Sequence, residues 1–169
     1  MRILVIGAGA TGGYFGGRLL ESGQDVSFLV RERRAAQLAE HGLVIRSSFG
    51  DATLPHPPTV QAGELREAFD LILLSCKAYH LPQVIEDMAP AVGPHTAILP
   101  VLNGMRHLDL LDARFGVARA RVTKFTFTSI ITMACRTPTF TFTRRKTSTS
   151  RIRMRLTRTL FRVWGGSRC

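Results

Sequence analysis

Residues 1–13 read Met-Arg-Ile-Leu-Val-Ile-Gly-Ala-Gly-Ala-Thr-Gly-Gly, and this stretch decides the fold. The apolar run from Ile3 to Ile6 predicts a buried β-strand, and a helix-compatible stretch from Tyr14 to Glu21 follows the glycines. Between them lies Gly-x-Gly-x-x-Gly, a turn that brings bare backbone and a helix N-terminus to a pyrophosphate. Strand, turn and helix together predict a doubly wound parallel α/β sheet with a dinucleotide site at its first turn.

Six consecutive residues of this turn are predicted to bind the cofactor: Gly7, Ala8, Gly9, Ala10, Thr11 and Gly12. Gly7 permits the tight turn, and Gly9 leaves room for the pyrophosphate beside the backbone. Gly12 allows the helix to pack closely against the strand.

The second predicted strand, residues 25–30, ends directly before Arg31. In this fold that strand end faces the adenosine ribose, where an arginine accommodates a 2′-phosphate, so the expected cofactor is NADP. Glu32 is one position further along, and a carboxylate at the ribose would instead favour NAD. For Arg33 and Arg34 the simplest interpretation is a solvated helix start, which we expect for at least one of them.

Two more strand ends carry polar side chains. The apolar runs at residues 70–76 and 96–102 predict strands, which deliver Lys77 and Asn103 respectively. Alone, Lys77 is explained as a surface charge and Asn103 as a turn residue before glycine. Because ligands bind at the carboxyl ends of parallel strands, we expect both, with Arg31 and the glycine turn, to form one site. The remaining pattern predicts helices at 34–40, 64–68, 83–88 and 107–115, and a strand at 43–47.

The net charge of +11 is distributed unevenly along the 169 residues. All 12 acidic residues lie at or before Asp112, whereas residues 117–169 combine many Lys and Arg with threonine-rich runs such as Thr139-Phe-Thr-Phe-Thr143. We therefore expect an NADP-binding domain at 1–116 and an irregular basic Thr/Arg-rich tail at 117–169, either poorly ordered or translated out of frame. A nucleic-acid-binding arm is the alternative for this tail.

The sequence gives little support for a disulfide-rich, metal-binding, secreted or membrane protein. Cys76, Cys135 and Cys169 lack C-x-x-C spacing, so neither a disulfide framework nor a metal site is expected. Among the histidines, only His80 and His107 are of interest, because they follow strand ends. The first strand is too short for a signal peptide or a membrane helix, so we expect a cytoplasmic protein without membrane association.

The N-terminal part of the chain resembles the cofactor domain of the ketopantoate reductase (2-dehydropantoate 2-reductase) family. The resemblance rests on residues 6–13, Arg31, His41-Gly-Leu-Val-Ile45, Ser75-Cys-Lys-Ala-Tyr79 and Leu102-Asn-Gly-Met105. The Lys-Ala-Tyr and Asn-Gly-Met segments make the match far more specific than the glycine turn alone.

This resemblance implies a Rossmann-type fold and reduction of 2-dehydropantoate, a small 2-keto acid, to pantoate by NADPH, a step toward pantothenate and coenzyme A. It implies that Arg31 holds the 2′-phosphate, that Lys77 contacts the cofactor, and that Asn103 contacts both cofactor and substrate.

Family members continue into a helical domain that supplies a lysine as proton donor. Residues 117–169 do not match that pattern, so we expect a chain truncated or frameshifted after about residue 116, with an incomplete sheet and no catalytic residue of its own. The alternatives are an NADP-binding module without turnover and a nucleic-acid binder acting through the basic tail.

Overall fold

A computed structural model describes residues 1–116 and the backbone of Arg121–Val122. Apart from that short segment, the expectations for residues 117–169 lie outside the described residues. Within the described part the predicted α/β architecture is confirmed.

The strands and helices alternate along most of the chain. The strands are β1 (Arg2–Ile6), β2 (Asp25–Leu29), β3 (Leu43–Ile45), β4 (Ala52–Leu54), β5 (Thr59–Val60), β6 (Leu71–Leu74), β7 (Ala97–Pro100) and β8 (Arg121–Val122). The α-helices are α1 (Ala10–Glu21), α2 (Glu32–His41), α3 (Leu81–Met88) and α4 (Arg106–Phe115). Short 3₁₀ helices occupy Ala62–Glu64, Ala78–His80 and Ala89–Ala91.

Six strands form one sheet in the order β5-β2-β1-β6-β7-β8, and every neighbouring pair is parallel. From β1 the chain first builds outward through β2 and then returns to add β6 on the other side. The strand order therefore reverses at β1, and the crevice beyond the carboxyl ends of β1 and β6 is the place where such sheets bind ligands. Strand β8 lies beyond the domain end predicted at residue 116 and adds to the same sheet.

Apolar cores cover both faces of the sheet because the side chains of its strands alternate between faces. Leu4 and Ile6 of β1 belong to the core that also contains residues of α3 and α4. Ile3 and Val5 belong to the opposite core, with α1 and α2 residues packed into it. Near-complete burial on both sides explains why the central strands read as continuous apolar runs.

Glycines allow α1 to approach the sheet closely. A β-carbon at Gly12 would overlap the Gly7 carbonyl oxygen and Ser75 Oγ. One turn later, a β-carbon at Gly16 would lie 2.6 Å from the ring of Phe28. The helix can therefore begin directly over the end of β1, which places its N-terminus at the crevice.

Several local predictions are corrected by the structure. The helix predicted at 64–68 is wrong, because residues 62–64 form a 3₁₀ turn closed by a reciprocal capping box between Gln61 and Glu64. The strand predicted at 43–47 is β3, which pairs antiparallel with β4 outside the main sheet. Helix α1 begins at Ala10, four residues before the predicted start, because the last glycines of the turn are already helical.

Candidate functional site

The glycine turn joins β1 to α1 at the point where the strand order reverses. Gly7 has a φ of 87°, a conformation that glycine adopts without strain, and its N–H donates to Leu29 O at 3.0 Å. Gly9 is the N-cap of α1, and no side chain caps the helix there. The first helical hydrogen bond runs from Gly13 N to Gly9 O at 2.7 Å. The preceding N–H groups of the first turn are therefore free of helical partners, as at any helix start.

The electrostatics of this helix start suit an anion. The first turn of α1 contains no acidic residue, and its dipole places partial positive charge at the N-terminus. Gly9 and Ala10 are exposed, while Ala8 and Gly12 are buried beneath them. The backbone of the turn is therefore accessible at Gly9 and Ala10, and the residues beneath it are packed in the protein interior.

Gly9 and Gly12 are glycines for different reasons. A β-carbon at Gly12 would collide with protein atoms, whereas a β-carbon at Gly9 would meet no atom of the described residues within 4 Å. Packing within this part of the chain therefore accounts for Gly12 and not for Gly9. The open space at Gly9 is what a pyrophosphate needs when it approaches the backbone, so the residues present fit a dinucleotide.

Ser75 ties the end of β6 to the glycine turn. Its backbone N–H donates to Ile6 O at 3.2 Å, and its Oγ lies 2.7 Å from the same oxygen and 3.3 Å from Gly7 O. These contacts hold the two neighbouring strand ends in register beneath the turn. From the sequence, Ser75 is recognisable only as the first residue of the Ser75–Tyr79 segment, and no role is predicted for it.

Arg31 is the N-cap residue of α2 and is exposed at the end of β2. Its Nη2 lies 3.2 Å from Nδ1 of His80, in the 3₁₀ helix that follows β6. This contact spans the end of β1, because β1 lies between β2 and β6 in the sheet. Glu32, the alternative ribose ligand, is the exposed first residue of α2.

Lys77 and Asn103 come to the same edge of the sheet. The register pairs Leu74 with Pro100, and each predicted site residue follows its strand after the same short interval. Both are exposed, and Lys77 Nζ lies 5.7 Å from the ring centroid of Tyr79. The topology therefore places all four predicted groups at the carboxyl ends of four adjacent strands, while their binding roles remain predictions.

Arg34 contacts the glycine turn, which was not predicted from the sequence. Its Nε and Nη2 donate to the Ala8 carbonyl oxygen at 3.2 and 2.9 Å, so it is anchored to the glycine turn. Arg33 is exposed, as expected for a solvated helix start. The spacing in the sequence could have indicated this contact, because Arg34 follows the N-cap residue Arg31 by three positions and therefore lies on the same side of α2 as Arg31.

Two other titratable groups that follow strands of the sheet are partly or fully buried. Cys76 is half-buried, packs against the core that contains α3, and its thiol pKa is raised by burial, which disfavours the reactive thiolate. His107 of α4 is buried, and burial lowers its pKa. Neither group is arranged as a nucleophile or a general acid.

Within the described residues, no helix has the length and apolar character that a membrane span requires. The comparisons with known proteins agree with the architecture. The family model described as ketopantoate reductase PanE/ApbA matches residues 3–137. That match continues past the domain end predicted at residue 116, which therefore stays a prediction.

Curated relatives match the N-terminal part of the chain. The uncharacterized oxidoreductase YkpB of Bacillus subtilis is 50% identical over 115 residues, which are 68% of this chain and 37% of the relative. The 2-dehydropantoate 2-reductase of Lactococcus lactis is 34% identical over 116 residues, 66% of this chain and 36% of the relative. The chain thus spans little more than a third of the length of these relatives.

Solved structures also match this part of the fold, and the chain again covers less than half of each. The 2-dehydropantoate 2-reductase of Geobacter metallireducens superposes with a TM-score of 0.64 at 38% identity, over 71% of this chain and 40% of that one. A ternary structure of D-mandelate dehydrogenase with NADH and anilino(oxo)acetate has a TM-score of 0.63 at 29% identity, over 71% and 39%.

Proposed function

The chain belongs to the ketopantoate reductase family, and from this premise we propose that its parallel sheet binds NADPH as the cofactor half of a 2-keto acid reductase. Such a protein transfers a hydride from the nicotinamide to the ketone of 2-dehydropantoate. The observation that carries the proposal is the open backbone at Gly9 above an uncapped helix N-terminus. This position is glycine without any packing reason in the described residues, and a phosphate ligand supplies the reason.

Arg31 carries the choice between NADPH and NADH. Its guanidinium is exposed, and among the described residues it contacts an imidazole nitrogen of His80 rather than a carboxylate. The charge is therefore not neutralised and suits a 2′-phosphate, which forms strong charge-assisted hydrogen bonds with guanidinium groups. The D-mandelate dehydrogenase structure holds NADH, so the cofactor cannot be carried over from fold alone and depends on this residue.

Lys77 and Asn103 have the chemistry to hold the reacting groups. An asparagine amide can donate to the oxygen of a keto acid, and a lysine ammonium favours negative charge nearby. When bound, the nicotinamide supplies the hydride, and the protein orients it and excludes competing reactions. We assign Asn103 to cofactor and substrate and Lys77 to the cofactor.

Proton donation is a step to which we assign none of the described residues at this sheet edge. Adding a hydride to a ketone carbon leaves negative charge on its oxygen, and a positioned acid typically contributes about 10²–10⁴-fold to such a step. None of the described residues at the site is assigned this role. Because the sequence of residues 117–169 does not match the part of the family pattern that supplies the acid, we propose that the 169-residue chain binds NADPH but reduces ketopantoate very slowly.

The test is a pair of fluorescence titrations of the full chain with NADPH and NADH. NADPH should bind at least tenfold more tightly, and Arg31→Asp should reverse the preference because a carboxylate suits a ribose hydroxyl and repels a phosphate. Arg33→Asp is the matched control, since Arg33 is exposed in the same helix and should leave the preference unchanged. Equal affinity for both dinucleotides in the unmodified chain would show that Arg31 does not read the 2′-phosphate.

A further inference from the structure

The side chain of Arg34 is held against the glycine turn by three hydrogen bonds. Nε and Nη2 donate to the Ala8 carbonyl oxygen at 3.2 and 2.9 Å. Nη1 donates to Gln37 Oε1 at 3.2 Å, one turn further along α2. The guanidinium is partly buried, and no carboxylate of the described residues forms an ion pair with it. The hydrogen bonds therefore fix the orientation of the guanidinium, and no carboxylate of the described residues neutralises its positive charge.

The oxygen that Arg34 contacts belongs to the peptide unit between Ala8 and Gly9. Because a peptide unit is planar, fixing the Ala8 carbonyl also fixes the direction of the Gly9 N–H at its other side. A charged donor on the carbonyl oxygen also polarises the peptide unit, which makes the N–H a better hydrogen-bond donor. Gly9 is the residue whose surroundings are open, so this peptide unit forms the exposed lip of the turn.

We propose that Arg34 is a positioning residue for dinucleotide binding, which locks the Ala8–Gly9 peptide so that the turn is preorganised for a pyrophosphate. The inference rests on the proposed function and assigns Arg34 a role different from that of Arg31. Arg31 reads the 2′-phosphate, which NADPH alone carries, whereas the Ala8–Gly9 peptide serves the pyrophosphate, which NADPH and NADH share. Loss of Arg34 therefore weakens both dinucleotides equally.

The experiment compares Arg34→Met, Arg34→Lys and the control Arg33→Met in the full chain. Methionine keeps the length and helix propensity of arginine without its donors, and lysine keeps the charge without the two-pronged contact. The side chain of Arg33 makes no hydrogen bond or ion pair with the described residues, so its variant controls for the loss of one positive charge.

Fluorescence titration should show that Arg34→Met raises the Kd for NADPH and for NADH by the same factor, about tenfold, with Arg34→Lys in between. Arg33→Met should leave both values within about twofold. A larger loss for NADPH than for NADH, or full rescue by lysine, would show that Arg34 acts as a phosphate-binding charge and overturn the inference.

A measurement on the ligand-free protein tests the same contact separately. In ¹H–¹⁵N spectra, Arg34→Met should move the Gly9 amide resonance upfield and speed its hydrogen exchange, whereas Arg33→Met should not. An unchanged Gly9 amide together with unchanged dinucleotide affinity would refute the inference while leaving the proposed function standing. Failure of the unmodified chain to bind either dinucleotide would overturn both.

Discussion

Alanine at Gly9 should weaken dinucleotide binding with little effect on stability, whereas alanine at Gly12, in the same turn, should lower the stability of the fold. At Gly9 the backbone has φ −84° and ψ −163°, an extended conformation open to any residue, and a β-carbon meets no described atom within 4 Å. Alanine is a poorer N-cap than glycine, but it also lowers the entropy of the unfolded chain, and these effects offset each other. The free energy of unfolding should therefore change by less than about 1 kcal/mol.

At Gly12 the added β-carbon overlaps the Gly7 carbonyl oxygen and Ser75 Oγ. Since one of these is a backbone atom, the start of α1 must shift away from β1. Overpacking of this kind costs about 1–3 kcal/mol, and for a domain of this size the melting temperature should fall by roughly 10 °C. Gly12→Ala is thus a stability variant, whereas Gly9→Ala acts on the ligand alone.

Thermal unfolding followed by circular dichroism and NADPH titration by fluorescence separate the two effects. We expect Gly9→Ala to melt close to the unmodified chain and to bind NADPH at least tenfold more weakly, which corresponds to about 1.4 kcal/mol. Gly9→Val should abolish binding, because its methyl groups occupy more of the pyrophosphate space. Unchanged NADPH affinity in a folded Gly9→Val protein would refute the assignment of the turn.

Three further predictions test other parts of the structure. Thr96 is buried, donates its hydroxyl to Phe69 O at 2.6 Å and accepts from Gly93 N at 2.8 Å, so Thr96→Val should cost about 1–3 kcal/mol in a denaturant titration, with Thr96→Ser nearly neutral as the control. Burial lowers the pKa of His107, so on acidification this histidine takes up a proton more readily in the unfolded chain than in the folded one. The free energy of unfolding should therefore fall as the pH drops below about 6.5, the ordinary pKa of histidine. His107→Leu should weaken this pH dependence in melting curves recorded at about pH 7.5 and 5.5. A steady-state assay with NADPH and ketopantoate should give a rate at least 100-fold below that of a full-length relative, on the estimate for a missing general acid. Turnover at the rate of a full-length relative would show that this chain does supply the acid.

The central sheet was predictable from sequence because its strands are buried on both faces. Such strands appear as apolar runs, and the glycine turn fixes where the first of them ends. Parallel strands place their carboxyl ends at one edge, so the sequence alone predicted that Lys77 and Asn103 lie at a common edge of the sheet, as they do. These residues lie together because the order of the parallel strands brings the carboxyl ends of β2, β1, β6 and β7 side by side.

The β3–β4 hairpin was not predictable in the same way. Its two strands are only three residues each, and the residues between them resemble loop punctuation. The turn of the hairpin is closed by contacts of Asp51, whose Oδ2 accepts from Arg46 Nη1 at 2.6 Å and whose Oδ1 accepts from Ser47 N at 3.0 Å. These side-chain contacts stabilise a turn that the apolar pattern does not mark.

Arg34 shows the limit of sequence reasoning within the site itself. Three arginines follow β2 closely, and composition cannot tell which one faces solvent and which one reaches back to the glycine turn. The helix start at Glu32 decides this by setting the direction of each side chain. The contact with Ala8 therefore became visible only from the structure.

The most direct test of the account is a titration of the ¹⁵N-labelled 169-residue chain with NADPH, followed by ¹H–¹⁵N spectra. We expect the largest shift changes at residues 7–12, with further changes at Arg31, Lys77 and Asn103, since the sheet brings these four strand ends to one edge. Absence of shift changes at residues 7–12, or changes confined to residues 117–169, would contradict the claim that this edge is a dinucleotide site.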